Sequence, residues 1–415
     1  MSRTRLSNLL VLLILFVLPF QTRWIFNDLT IAGQPWEYGR LSLYATEALI
    51  VFASLLRGVV RVDARHEPLL KAAIFFLGAL FLGASFSRNI TLAFSAILHV
   101  SAAAALFALV LDERTDATKA ASAFVLGLLV PSALAWTQVL TGLSPASTVL
   151  GLASHDAATL GSSVVETVST RVLRGYGTLP HPNIFGGYLA LGTVLAAWLA
   201  SKGRRVGSVL PILAATLVVT FSRGAWIAAA VGLAVAFFLS VRPPTRVIFA
   251  TVWTIILTVA IFHAPIFTRF DASARLEAKS VSERVSEFSL WPDVVRQNVF
   301  TGVGAGNYAF ALAGLYPGKD VWSYQPIHDS LLLFIAETGL LGLLAAGRFF
   351  WVAVTSICAC RTARGRACAV SVIFALVSVA AFDHYLWSLW PGMCLAALAL
   401  AVALKSTVDS PSSGR

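Results

Sequence analysis

The chain has 415 residues, of which 58% are hydrophobic and 12% charged, and its mean hydropathy is +0.80. Soluble domains run at about 45–50% apolar and about 25% charged, so the excess excludes a soluble enzyme, a disordered chain and a disulfide scaffold and leaves a polytopic membrane protein. The formal charge of +11 comes from short basic clusters between apolar runs, such as Arg57, Arg61 and Arg65 or Lys202, Arg204 and Arg205; that is the footprint of membrane topology, and no nucleic-acid partner is expected.

Backbone groups in lipid must pair within the segment, so spans are helices or closed barrels. A barrel needs alternating segments of about 10 residues. Blocks such as 9–20 and 247–262 are uniformly apolar and longer, so the expected class is all-α. The run 6–20 follows Arg3 and Arg5 and lacks an Ala-x-Ala cleavage site, so it reads as a retained first span. About 12 transmembrane helices are expected, at 6–22, 41–60, 69–86, 90–110, 121–142, 183–201, 207–221, 224–241, 247–264, 338–358, 367–382 and 391–404. Placing both termini in the cytoplasm puts most of the 31 Lys and Arg, including Arg361 and Arg415, in short inner segments.

Three long segments then face outward: 23–40, 143–182 and 265–337. The expected organisation is helices 1–9 in residues 1–264, an outer catalytic loop in 265–337, and helices 10–12 with a cytoplasmic tail in 338–415. In that loop Leu276, Val281, Val285, Phe288 and Leu290 recur at helical spacing. The helix they predict ends before Pro292, and a short second helix over 293–300 leads into the Gly-rich turn 301–307. The tail 406–415 reads as disordered.

His328 stands where the outer loop gives way to helix, with Asp329 or Ser330 as cap. Histidine takes a proton near neutral pH, so His328 is a candidate general base. Arg223 is a lone cation between two apolar runs, either snorkelling to the interface or clamping an anion. Arg171 and Arg174 precede Gly-Tyr-Gly-Thr-Leu-Pro-His-Pro-Asn183 and are placed to cradle a phosphate, while Asn183 can cap the next span. Arg284 lies on the polar face of the loop helix, where Glu283 and Glu287 offer an alternative ion-pair role. Asp383 is a candidate orienter of His328, and His384 a second base, unless both are only interfacial polar groups. His99 and Glu47 lie inside spans and read as helix–helix hydrogen-bonding partners. The turn Gly302-Val-Gly304-Ala-Gly306-Asn307 follows a helix, which is the wrong context for dinucleotide binding. No His/Asp/Glu set has metal-ligand spacing, and Cys358-Ala-Cys360 is not a zinc spacing. No metal or cofactor is expected.

Taken together, the Arg-Gly-x-Gly-Thr…His-Pro-Asn block at 174–183, the Ser222-Arg223-Gly224 turn, Glu283-Arg284, Gly302-Val-Gly304-Ala-Gly306-Asn307-Tyr308, and His328 with Glu337-x-Gly339 resemble the O-antigen ligase and O-antigen polymerase superfamily. One departure is visible: Asn often follows the histidine in that family, and this chain has Asp329. The resemblance implies a GT-C-like membrane fold in the bacterial inner membrane with its active site facing the periplasm. It implies a donor glycan on undecaprenyl diphosphate and, in a ligase, a lipid A–core sugar hydroxyl as acceptor. In a polymerase another lipid-linked repeat unit accepts. Carried onto this chain, Arg223, Arg284 and Arg174 bind the diphosphate and His328 activates the acceptor, with inversion. Arg171, Asn183, Asn307 and Asp383 join the expected binding set. A transporter or flippase, the reading from another class, would place its charges at mid-membrane; here they cluster at one face.

Overall fold

The structure, a computed structural model, describes residues 3–360 and 362–408. Arg361, Arg415 and residues 409–415 of the tail lie outside the described residues. The start of that tail is ordered: Ser406 ends the last helix, buried, with its hydroxyl donating to Gly365 O at 3.1 Å.

The chain is mostly helical, and helix covers most of each apolar run named above. It opens with α1 (Arg3–Val17), then an antiparallel hairpin of β1 (Arg23–Ile31) and β2 (Gln34–Tyr44). Ala32 (φ 51) and Gly33 (φ 76) turn the hairpin in two residues, the left-handed pair that matches strand twist. Residues 41–44, expected to begin a span, pair with β1 instead, so α2 is confined to Ala45–Arg57. There follow α3 (Glu67–Ala84), α4 (Ile90–Leu111), α5 (Ala117–Gly127) and α6 (Leu129–Thr141). Two short ribbons come next, β3 (Leu143–Ser144) with β4 (His155–Asp156) and β5 (Val164–Glu166) with β6 (Arg171–Leu173).

The second half holds α7 (Pro182–Ser201), α8 (Leu210–Val219), α9 (Arg223–Phe238), α10 (Thr245–Ile261), α11 (His263–Thr268) and α12 (Arg275–Val295). Last come α13 (Tyr308–Leu315), α14 (Ser330–Cys358), α15 (Ala363–Phe382), α16 (Tyr385–Ser388) and α17 (Trp390–Ser406). α7 is buried on all sides and packs on α5, α8, α9 and α15. α3 and α10 instead expose Ile74, Phe75, Phe249, Trp253 and Leu257. An apolar exterior around an apolar core is how a multi-pass membrane protein is built. Among the described residues six helices are long and apolar enough to cross a membrane, from 20 to 29 residues, and shorter apolar helices accompany them.

The expected end of the loop helix moves. α12 does not stop before Pro292 but runs to Val295. Proline removes one backbone hydrogen bond; against that, Val294 is fully buried and Trp291 Nε1 donates to Leu332 O at 2.8 Å, which fastens the end of α12 to α14. The segment 293–300 is therefore not a separate helix. α14 starts at Ser330, with the Asp329 carboxylate capping Leu332 N as expected, and kinks at Gly339 (φ 61). A Cβ on Gly339 would lie 2.5 Å from Gly302 N, so only glycine lets the Gly-rich turn pack into the kink. Glu337 completes that joint by accepting from Gly306 N (2.7 Å), Tyr308 N (3.0 Å) and Trp387 Nε1 (2.8 Å).

The segments expected to face outward gather at one end of the bundle. Thr22 Oγ1 donates to Val149 O and Thr178 Oγ1 to Pro19 O, both at 2.6 Å, and Arg275 of α12 pairs with Glu166 of β5 at 2.8 Å. At the other end Arg57 and Arg114 share Asp112 (2.9 and 2.6 Å), and Lys405 Nζ donates to Asp112 O (3.0 Å).

Candidate functional site

The site grows from a tight turn between α8 and α9. Phe221 there has φ +51, a left-handed conformation rare for a bulky residue. Two arginines hold it. Arg174 Nε donates to Thr220 O at 2.9 Å, and Arg269 Nε donates to Phe221 O at 3.0 Å. The turn delivers Arg223 to the first position of α9, at the positive end of that helix. Arg223 donates to Arg269 O (2.7 Å) and pairs with Glu277 (3.0 Å), and the buried Glu277 carboxylate also pairs with Arg269.

A cavity of about 230 Å³ opens beside this cluster, lined by Asn183, Ser222, Arg223, Arg269, Arg284 and Asp383 among others. One carboxylate serves Arg223 and Arg269 together. Arg284 has no hydrogen bond or ion pair among the described residues, because Glu283 is taken by Lys279 (3.6 Å) and Glu287 by His328 (2.7 Å). The alternative of an intrahelical pair for Arg284 does not form. Three guanidinium groups thus converge on a space with less negative charge than positive, which is the electrostatics of an anion site.

His328 sits one turn of α12 away. Glu287, three residues after Arg284, accepts from His328 Nδ1 at 2.7 Å and from the His328 backbone N–H at 3.2 Å. This contact makes Nδ1 the protonated nitrogen. Nε2 has no partner among the described residues and is left as the basic atom. Burial lowers the imidazole pKa, but the Glu287 hydrogen bond and the Asp383 and Glu287 charges outweigh it, so the net shift is upward from 6.5. The carboxylate that contacts His328 is Glu287, not Asp383.

Asp383, at the C-terminal end of α15, accepts from Asn183 Nδ2 (2.9 Å) and from its neighbour His384 N (2.8 Å). Burial raises its carboxyl pKa; the His384, His328 and His181 side chains and Asn183 more than offset that and hold it below the usual range. The His384 ring lies 5.2 Å from that of His328, with Nδ1 on Ser388 Oγ (2.7 Å) and Nε2 on the Tyr38 hydroxyl (3.3 Å). Burial drops His384 to about 4 in spite of Asp383, so this second imidazole is neutral at pH 7.

The remaining expected residues divide. Arg174 is buried and does not line the cavity; besides Thr220 O it donates to Asn183 Oδ1 at 2.6 Å. Burial, with Arg269 beside it, lowers its pKa to about 9. It frames the site from behind. Asn183 is on the cavity wall and is not the cap of α7; His181 Nδ1 caps that helix by accepting from Asn183 N at 3.1 Å. Arg171 pairs with Glu166 (3.4 Å) on the β5–β6 ribbon, off the cavity wall. Asn307 is fully buried, with its amide bound to Asn89 N (2.8 Å), Asn89 O (3.1 Å) and Ala305 O (3.0 Å), and is a structural brace. His99 and Glu47 pair at 2.6 Å, as expected of helix-to-helix partners.

Sequence reasoning missed Arg269, Glu277 and Tyr38, and it read Glu287 only as a partner for Arg284. The i, i+3 spacing of Arg284 and Glu287 was a usable signal, since it sets both on one helix face. Nothing local marks Arg269 or Tyr38.

Residues 208–347, from the end of the α7–α8 connection into α14, match a family model described as O-antigen ligase. This supports the superfamily resemblance that the motifs carry, and it spans Arg223, Arg269, Glu277, Arg284, Glu287 and His328. No curated protein matches the chain.

Proposed function

On the premise that residues 208–347 are a domain of the O-antigen ligase superfamily, we propose that the protein transfers a polysaccharide from undecaprenyl diphosphate to a sugar hydroxyl of lipid A–core at the periplasmic face of the bacterial inner membrane. The helices make about 12 spans with both termini cytoplasmic, and the segment from α10 to the start of α14 is the periplasmic catalytic loop. The observation that carries the reading is the convergence of Arg223, Arg269 and Arg284 on one cavity beside a carboxylate-oriented imidazole.

The chemistry follows from charge. Breaking the sugar–diphosphate bond builds negative charge on the leaving oxygens, and fixed guanidinium groups lower that barrier. Arg223 and Arg269 are preset by Glu277; Arg284 is the unpaired member that closes on the diphosphate. His328 Nε2 accepts the acceptor hydroxyl proton while Glu287 stabilises the imidazolium that forms. The hydroxyl oxygen attacks the anomeric carbon from the face opposite the diphosphate, one C–O bond forms as the other breaks, and configuration inverts. Lipid diphosphate leaves as the anion.

The test is transfer by purified protein in detergent, given lipid-diphosphate glycan and lipid A–core without a membrane gradient. His328→Ala loses about 10²–10⁴-fold in rate while its elution on size exclusion is unchanged. No turnover by the wild type, or wild-type rates for His328→Ala, contradicts the reading. Turnover only when a second lipid-linked repeat unit replaces lipid A–core makes the protein a polymerase.

A further inference from the structure

A second cavity opens at the same end of the bundle, beside the β1–β2 hairpin, and the transfer chemistry above does not use it. Tyr38, Arg40, Ala96, Trp387, Ser388 and Trp390 are among the residues lining it. It encloses about 70 Å³, room for one edge of a sugar ring.

Its wall is built and held. Trp387 Nε1 donates to Glu337 (2.8 Å) and Trp390 Nε1 to Thr46 Oγ1 (2.9 Å), so each indole is fixed through its only donor. Tyr44, His99 and Trp390 stand with ring centroids 5.9 Å apart at its base. Its charges cancel. Arg23 pairs with Glu37 (2.8 Å), and Arg40 pairs with Glu37 (3.1 Å) and Asp28 (3.4 Å). The two lining cations are thus matched by Glu37 on the wall and by Asp28 outside it, which leaves the rim without net charge and rich in donors and acceptors. Aromatic rings that take an aliphatic C–H surface, with paired polar groups that take hydroxyls, suit an uncharged sugar. An anion is better served by the guanidinium cavity.

The two cavities share a wall. In the segment 383–390 Asp383 and Tyr385 face the first, and Trp387, Ser388 and Trp390 face the second. His384 lies at the divide, bonded to Tyr38 and Ser388 of the second cavity and 5.2 Å from the His328 ring. We propose that the second cavity is the acceptor subsite and that it takes the edge of an uncharged hexose. This rests on the transferase reading, which supplies a donor clamp and a base but no place for the acceptor sugar. Diphosphate then enters on one side of the 383–390 segment and the accepting saccharide on the other.

The experiment uses the full chain in nanodiscs and two cavity-filling variants on α4, Ala96→Leu and Ser95→Val, kept only if they elute as the wild type does. With transfer as readout, filling raises the acceptor KM about tenfold or more and leaves the donor KM within about twofold. Maltotriose, a neutral hexose probe, is followed in parallel by saturation-transfer NMR without donor. The wild type gives ring-proton signals and the filled variants lose them. An unchanged acceptor KM, absent maltotriose signals in the wild type, or equal signals in all three proteins overturns the subsite. Wild-type protein that transfers nothing but binds maltotriose in a filling-sensitive way overturns the transferase reading and keeps the saccharide site.

Discussion

At the scale of single residues the site rests on which charges are already paired. Glu277 partners two arginines and Glu287 partners the histidine, so Arg284 is the guanidinium with capacity to spare. Arg223 uses both terminal nitrogens, one donating to the Arg269 carbonyl and the other in an ion pair with the Glu277 carboxylate. A lysine is a point charge and cannot hold that fork, so Arg223→Lys is expected to cut transfer by at least about tenfold, read as initial rate at saturating acceptor. His328 must be unprotonated to accept a proton. Its pKa is raised above 6.5, so transfer is blocked at low pH and rises as pH passes through that raised value. Removing the Glu287 charge lets burial dominate and lowers the pKa. Glu287→Gln therefore moves the acid limb of the kcat/KM profile to lower pH while reducing the maximum. A limb that stays in place shows that Glu287 does not set the histidine's basicity.

At the scale of elements the sequence announced what depends on local pattern. The apolar runs are helical over most of their length, and Asp329 caps α14 as its position before an apolar run implies. What depends on partners distant in sequence was illegible. Pro292 looks like a helix stop, yet α12 passes through it because Trp291 and Val294 are anchored by tertiary contacts. The β1–β2 hairpin has no hydrophobic face strong enough to separate it from loop, although Ala32-Gly33 forms its turn. Asn183 reads as a cap by residue type; His181, two residues earlier, takes that role and frees Asn183 to bridge Arg174 and Asp383. Gly339 is the element most exposed to a one-atom change, since its kink admits the Gly302 backbone. Gly339→Ala combines a left-handed φ with a backbone clash and is expected to cost about 1–3 kcal/mol or more, seen as a lower thermal midpoint. An unchanged midpoint would mean that the joint between α14 and the 301–307 turn is not rigid.

At the scale of the whole molecule, residues from six places in the chain meet at one end of a helix bundle: Arg174, Arg223, Arg269, Arg284, His328 and Asp383. The sequence named five of these by chemistry but not their arrangement, because nothing in spacing says that Arg174 stands behind the cavity while Arg269 stands in it. The placement of this end on the periplasmic side is checked by thiol labelling of intact cells. Ser273→Cys, exposed just before α12, reacts with a membrane-impermeant reagent, and the exposed native Cys358 at the C-terminal end of α14 does not; the reverse pattern inverts the topology. The central claim is that the converging guanidinium groups form a diphosphate clamp, and its most direct measurement is equilibrium binding of undecaprenyl-diphosphate glycan to the protein in nanodiscs, with and without Arg284→Gln. Because Arg284 has no hydrogen-bond or ion-pair partner among the described residues to orphan, this variant removes one charge-assisted contact and little else. The clamp predicts affinity weakened by about 10- to 100-fold and the fold unchanged; equal affinity in the two proteins contradicts it.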